Sequence, residues 1–238
     1  MLRLDRYLSN ATALTRSQAQ RALRGGRVQV EGETVKQGAT RIPLEAQVTL
    51  DGVPVAPPQP RYFMLHKPQG VVCASEDPTH RSAIDLLELP NPDGLHFAGR
   101  LDLDATGLVM ISDDGQWTHR ITAPGRECAK RYRIALAEPV TEQALRSLRE
   151  GVLLRGDSRA TRPAQVERVA DQELLISIAE GRYHQVKRML AAVGNKVVAL
   201  HREAIGSLEL DARLKAGEFR PCLLYTSDAA DDETSGGG

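Results

Sequence analysis

The stretch Gly99-Arg100-Leu101-Asp102-Leu103-Asp104-Ala105-Thr106-Gly107-Leu108 decides how this chain is read. It sets one carboxylate, Asp102, between an arginine and a short β-like run from Gly107 to Ser112. A second segment, Glu180-Gly181-Arg182-Tyr183-His184-Gln185-Val186-Lys187-Arg188-Met189, offers the cations that such a carboxylate needs. An opposite charge within about 4–6 Å favours the ionised form of a carboxyl group. Arg182, Lys187 and Arg188 are the candidates for that charge.

With 238 residues the chain is long enough for one large domain or two modest ones. Its 41% hydrophobic and 26% charged residues predict an ordinary globular protein. Apolar runs such as Leu174-Leu175-Ile176 fall far short of the roughly 20 residues that span a bilayer. Arg3, Asp5 and Arg6 interrupt the N-terminus, so a secretory leader is not expected. Cys73, Cys128 and Cys222 form no CxxC pair, which argues against a zinc ribbon or a disulfide framework and fits a reducing cytoplasm. Neither GxGxxG nor a Walker A pattern occurs, so no nucleotide cofactor is indicated.

The formal net charge of zero hides an asymmetry. Residues 1–61 hold nine Lys/Arg against five Asp/Glu, whereas residues 223–238 hold Asp228, Asp231, Asp232 and Glu233 and no base. The latter segment has no apolar periodicity and ends in three glycines. It reads as a disordered, non-native tail and is left out of fold reasoning.

Near the N-terminus, Leu4, Tyr7 and Leu8 mark one face of a short helix. Thr15 and Gln18 have capping-box spacing for a second helix, which Gly25-Gly26 stops. Val28, Val30 and Val35 around Glu31-Gly32 predict a hairpin. Arg16, Arg21, Arg24 and Arg27 gather near the second helix. An arginine row of this kind meets nucleic-acid phosphates or is simply a solvated face. Pro54, Pro57, Pro58 and Pro60 stiffen the next segment and mark a domain boundary. The organisation expected is a first domain at residues 1–57, a linker at 58–60 and a larger domain at 61–222.

The second domain mixes strands and helices. Tyr62–His66, Leu108–Ser112, Tyr132–Ala137, Val166–Val169, Leu174–Ala179 and Lys196–His201 are strand candidates, while Ala83–Leu89, Thr141–Glu150 and Tyr183–Val193 read as helices. Strands in clusters, rather than in strict βαβ alternation, predict an α+β domain on a mixed, mostly antiparallel sheet with flanking helices.

Gly-Arg-Leu-Asp followed by an acid, a threonine and Gly-Leu resembles the active-site motif of pseudouridine synthases of the RsuA/RluB type. The helix–helix–hairpin order at the N-terminus resembles the S4 RNA-binding module. The likeness spans nearly all of residues 1–221 and is closest to the branch acting on 16S ribosomal RNA of the small subunit; a 23S target is the alternative within the family. It implies isomerisation of one uridine to pseudouridine, with the base flipped out of its stack at a cost of a few kcal/mol. Asp102 then stands in the slot of the nucleophile, attacking C1′ or assisting removal of the C2′ proton. Gln185-Val186-Lys187 matches the family's placement of a cation two residues after Gln, which favours Lys187 as the partner of Asp102. Tyr132, in Lys130-Arg131-Tyr132-Arg133, matches the active-site tyrosine, and its basic neighbours suit an RNA-facing strand edge. Arg100 is expected to fill the gap left by the extruded base, and Arg182 and Arg188 to touch RNA. Lys67-Pro68-Gln69-Gly70 recurs in the family as an architectural turn. Ala105 departs from the family's threonine, a change expected to loosen the loop slightly. The resemblance implies no cofactor, no metal, no membrane and no obligate protein partner, only ribosomal RNA, naked or in a partly assembled subunit.

Two other readings compete. Asp102 and Asp104 resemble a glycosidase pair, but such carboxylates face each other across a sugar, and the chain has 4% aromatics and a single tryptophan. A non-catalytic RNA-binding or assembly factor built on the same basic module has no chemical need for Asp102, Tyr132 and Lys187 together. The histidines show no metal-ligand spacing, and Arg155-Gly156-Asp157 reads as a chance match in a turn.

Overall fold

Leu4, Tyr7 and Leu8 lie on one face of a helix and are fully buried, as their spacing predicts. The computed structural model describes residues 1–75, 77–123 and 128–222; the segment read as a non-native tail, 223–238, lies outside the described residues. Two units emerge: Met1–Pro60 together with Glu88–Gly94, and Arg61–Leu87 together with the chain from Leu95 onward.

In the first unit, β1 (Leu2–Arg3) runs into α1 (Leu4–Ala11). Helix α2 (Arg16–Arg24) opens on the expected capping box: Gln18 N donates to Thr15 Oγ1 and Thr15 N to Gln18 Oε1. Strands β2 (Val28–Val30) and β3 (Glu33–Thr34) turn through Glu31 and Gly32, both at positive φ, the geometry of a tight hairpin. Strand β4 (Arg41–Ile42) pairs with β1. The sheet continues with β5 (Val48–Leu50) and β6 (Val53–Val55), in the order β3-β2-β5-β6. Pro54 therefore sits in a strand and not in the stiff segment to which its spacing assigned it. An edge position tolerates the missing N–H. Asn91, from the returning segment 88–94, donates to Ser9 O (3.0 Å) and to Asn10 Oδ1 (2.9 Å).

Asp5 is buried in this unit, ringed by Arg3 (2.8 Å), Gln20 (3.2 Å) and Arg16 (3.5 Å). Burial pushes its carboxyl up, but the hydrogen bonds from Arg3 and Gln20 and the charges of Arg16 and Arg3 prevail and hold it at about 2.

The second unit is built on one large sheet. Its strands in chain order are β7 (Tyr62–Lys67), β8 (His96–Phe97), β9 (Thr106–Ser112), β10 (Lys130–Leu136), β11 (Gln165–Ala170), β12 (Glu173–Ile178), β13 (Val197–Ile205), β14 (Leu208–Glu209) and β15 (Phe219–Pro221). The main path is β11-β12-β10-β13-β9-β7-β15. Only β13 and β9 run parallel along it, so the sheet is mixed and mostly antiparallel, as the strand clustering predicts. Helices α3 (Gly115–Thr122), α4 (Glu142–Glu150) and α5 (Gln185–Ala192) complete it. Among the described residues no helix is long and apolar enough to cross a membrane.

From Gly107 to Ser112, β9 is buried at every residue, so the strand is covered on both faces. Its parallel pairing sets Gly107 opposite Arg202. A Cβ on Gly107, whose φ is +107°, would lie 2.3 Å from the Arg202 carbonyl oxygen. Glycine alone allows that approach.

Three expectations change. Ala83–Leu87 is a 3₁₀ turn instead of a helix to Leu89, ending where Glu88 adopts positive φ. Helix α5 starts at Gln185, because His184 takes a left-handed conformation at its N-cap. Strand β10 is central, not an RNA-facing edge: Tyr132 and Ile134 are buried, while Arg131 and Arg133 point to the opposite face and pair with Glu203 (3.2 and 2.7 Å).

Candidate active site

The turn after β8 carries Asp102. Leu101 and Ala105 are buried and anchor its two ends. The Ala105 N–H closes the turn on Asp102 O (3.1 Å), and the Leu101 N–H reaches Cys73 Sγ (3.4 Å). Beneath lies Lys67, with no exposed surface. Its ammonium donates to Pro68 O (3.0 Å), Leu103 O (3.3 Å) and Ala105 O (2.8 Å). Burial lowers its pKa. The Lys67-Pro68-Gln69-Gly70 turn is thus architectural, but through the lysine as much as through proline and glycine. The turn is held at Ala105 through both backbone groups, its N–H on Asp102 O and its O accepting from Lys67.

Side chains converge on Asp102 from helix α5 and its cap. Lys187 Nζ lies 2.9 Å from Asp102 Oδ2 and 2.6 Å from Asp104 Oδ1. His184 Nε2 lies 3.3 Å from Asp102 Oδ1. Both oxygens of Asp102 therefore face a nitrogen, and the carboxyl remains 25% exposed to the cavity. Burial pulls the Lys187 pKa down, but its bonds to Asp104 and Asp102 outweigh this and raise it above the ordinary value. The bond from Lys187 likewise holds Asp104 low. Tyr183 is 75% exposed and its ring stacks on that of His184, centroids 3.8 Å apart.

Asp102, Tyr132, Lys187, His184 and Arg202 line one cavity of about 660 Å³. That volume lies within the range of sites that enclose small ligands. Exposed Arg100 lies on its wall. Lys130 also borders it and donates to Cys128 O (3.0 Å); burial pushes its pKa down.

Arg182 lines the same cavity, and both it and Arg188 are engaged by the protein itself. Both grip Asp157, at 2.9 and 2.5 Å, and Arg182 also reaches Arg159 O, Ala160 O and Glu180. Their guanidinium groups brace the 155–160 loop, and of the three candidate cations only Lys187 meets Asp102. The Arg-Gly-Asp read as accidental supplies the shared carboxylate.

In the first unit the arginine row is not uniform. Arg27 pairs with Asp51, and Arg16 with Asp5 and Asp93 (3.6 Å). Arg21 and Arg24 are exposed, and Arg24 bonds only to Gln20 O (3.4 Å).

Of the site's further neighbours, Lys67 and His184 sit within the Lys67–Gly70 and Glu180–Met189 motifs, and Arg202 lies outside both. For Lys67 the signal was available: a lysine ending an apolar strand and followed by proline. Arg202, in Leu200-His201-Arg202, has no sequence signal of its own, because its position follows from the parallel pairing of β13 with β9.

Residues 61–192 match the RNA pseudouridylate synthase family and residues 2–55 the S4 domain. The chain belongs to the pseudouridylate synthase family and carries an S4 domain ahead of the enzyme domain. Among its relatives are proteins named ribosomal small subunit pseudouridine synthase A. The one from Yersinia pestis is 47% identical over 96% of this chain and 97% of its own length. That from Escherichia coli K12 is 48% identical over 92% and 96%. A crystal structure of a pseudouridylate synthase superposes with a TM-score of 0.67 at 46% identity, covering 94% of this chain and 96% of that one.

Proposed function

We propose that this enzyme converts one uridine of 16S ribosomal RNA in the small subunit to pseudouridine, in the cytoplasm. The observation that carries the reading is the ion pair of Lys187 with Asp102 at the wall of a cavity shared with Tyr132. Full-length relatives named for the small ribosomal subunit support the choice of RNA. Residues 1–57 act as the RNA-docking domain and residues 61–222 as the catalytic domain.

Asp102, its Oδ2 held 2.9 Å from Lys187 Nζ, acts on the ribose of the flipped uridine, at C1′ as nucleophile or at C2′ as base. The C1′–N1 bond breaks and its electron pair leaves with the uracil. The base turns and C5 bonds to C1′, as the Asp102 carboxylate leaves C1′ on the first route or returns its proton to C2′ on the second; the C5 proton then departs and N1 takes up a proton. Tyr132 stacks on the base, and its hydroxyl oxygen takes the C5 proton as its own O–H proton passes to water. Arg100 occupies the space the uridine vacates. Nothing is added or lost, so the reaction calls for no cofactor.

Carbodiimide treatment and primer extension on ribosomal RNA from cells with and without this protein test the reading. One 16S site should lose its stop in the deletion strain and regain it on complementation. A lost stop in 23S RNA instead, or none in either, would overturn the proposed substrate.

A further inference from the structure

Arg202 has 1% of its surface exposed, and its guanidinium meets no carboxylate among the described residues. Burying a cation in this way is costly unless its donors are satisfied. Here they are satisfied by backbone. Nη2 donates to Gly99 O (2.8 Å), Nη1 to Arg100 O (3.2 Å) and Nε to Leu108 O (2.8 Å). Gly99 and Arg100 precede Asp102, and Leu108 follows it. One planar fork thus spans both ends of the turn that presents the carboxylate. The same guanidinium carbon lies 6.0 Å from the centroid of the Tyr132 ring, within reach of a cation–π contact.

We infer that Arg202 is a positioning residue for catalysis: it closes the 99–108 turn as a clasp and sets the direction of Asp102 relative to Tyr132. Lysine cannot replace it, because the three carbonyls are met by three separate nitrogens of one rigid plane, a spread that a single ammonium nitrogen does not reproduce. A displacement of about 1 Å at a reacting group costs on the order of 10²-fold in rate. Loss of the clasp therefore slows the chemical step and leaves RNA capture intact. The inference rests on Asp102 being the reacting carboxylate.

Arg202→Lys, Gly99→Ala and the control Leu148→Ala test it. Leu148 is buried in α4, outside the cavity. The readouts are the single-turnover release of tritium from [5-³H]uridine-labelled 16S RNA, RNA affinity by filter binding, and the thermal midpoint. R202K should lose about 10²-fold in rate with RNA affinity within about threefold. L148A should keep its rate even at an equal or larger loss of midpoint. Gly99 sits at φ +93° with room for a methyl, 3.7 Å from Arg202 Nη1, so G99A shifts only the backbone that the clasp holds. It should slow turnover about tenfold. R202K within threefold of the wild-type rate, or L148A losing as much rate as R202K, overturns the inference. If R202K does not fold, an unchanged rate in G99A overturns it alone. Asp102→Asn runs beside them: turnover by D102N removes the site reading itself, whereas an inactive D102N with a normal R202K removes only the clasp.

Discussion

Lys187 holds Asp102 and Asp104 with one ammonium, 2.9 Å from the first and 2.6 Å from the second, yet the two carboxylates are not equivalent. Asp102 is 25% exposed and faces the cavity, whereas Asp104 is 68% exposed. An ion pair whose partners are each about a quarter exposed stabilises little on balance. The inner pair is therefore better explained by chemistry than by stability.

Asp102→Asn is isosteric and keeps the turn's backbone bonds. Tritium release should fall by more than about 10³-fold with an unchanged circular dichroism spectrum and melting point. Measurable turnover would take Asp102 out of the central role.

Lys187→Met should reduce the single-turnover rate by about 10²–10³-fold, the usual cost of removing one preorganised charge, with RNA affinity within about twofold. Asp104→Asn should cost less than tenfold, since Lys187 keeps its bond to Asp102 (about 1.4 kcal/mol at most). A larger loss of affinity than of rate in K187M would mark the lysine as a phosphate contact.

The basic residues of the first unit should divide into two classes. Arg21→Gln and Arg24→Gln should each weaken RNA binding and reduce the slope of log affinity against log salt by about 0.7–0.9. Arg16→Gln and Arg27→Gln should change the slope less, because Asp5 and Asp51 already neutralise them. Four equal slopes in filter binding would refute the division.

Asp5 gives a prediction in pH. Its folded value of about 2 lies below the ordinary 3.8, so its contribution to stability is complete above pH 4 and disappears as pH falls toward 2. Asp5→Asn should cost about 1–3 kcal/mol near neutrality. Thermal melts at pH 7, 4 and 3 should show the gap between wild type and variant narrowing on acidification; a constant gap would contradict the sign.

Much of the fold was legible, and the gaps have physical causes. Strand positions followed from apolar runs, and the capping box at Thr15 was readable because both partners lie within one turn. Helix α3 escaped notice because Trp117 is its one buried residue, so no stripe recurs; its only signal is the cap at Asp114, which accepts from Trp117 N (3.0 Å). The β5–β6 hairpin has an Asp51-Gly52 turn flanked by leucine and valine, but Pro54 in its second strand gives that strand the composition of a linker. At the site, Asp102, Tyr132 and Lys187 were named from motifs, and they line one cavity. The bonds of Arg182 and Arg188 to Asp157 were not legible, because that partner lies 25 and 31 residues away in the chain. Arg131 and Arg133 were misjudged because alternation along β10 sends them to the face opposite Tyr132.

Strand β13 lies between β10 and β9, both of which precede it in the chain by more than sixty residues. β9 and β10 therefore share a sheet neighbour that neither can pair with until residues 197–205 are available. Parallel pairing across such a separation is slow to form. The Asp102 turn thus receives its arginine from a strand almost a hundred residues further along the chain, and its three carbonyls stay unclasped until that strand is in place.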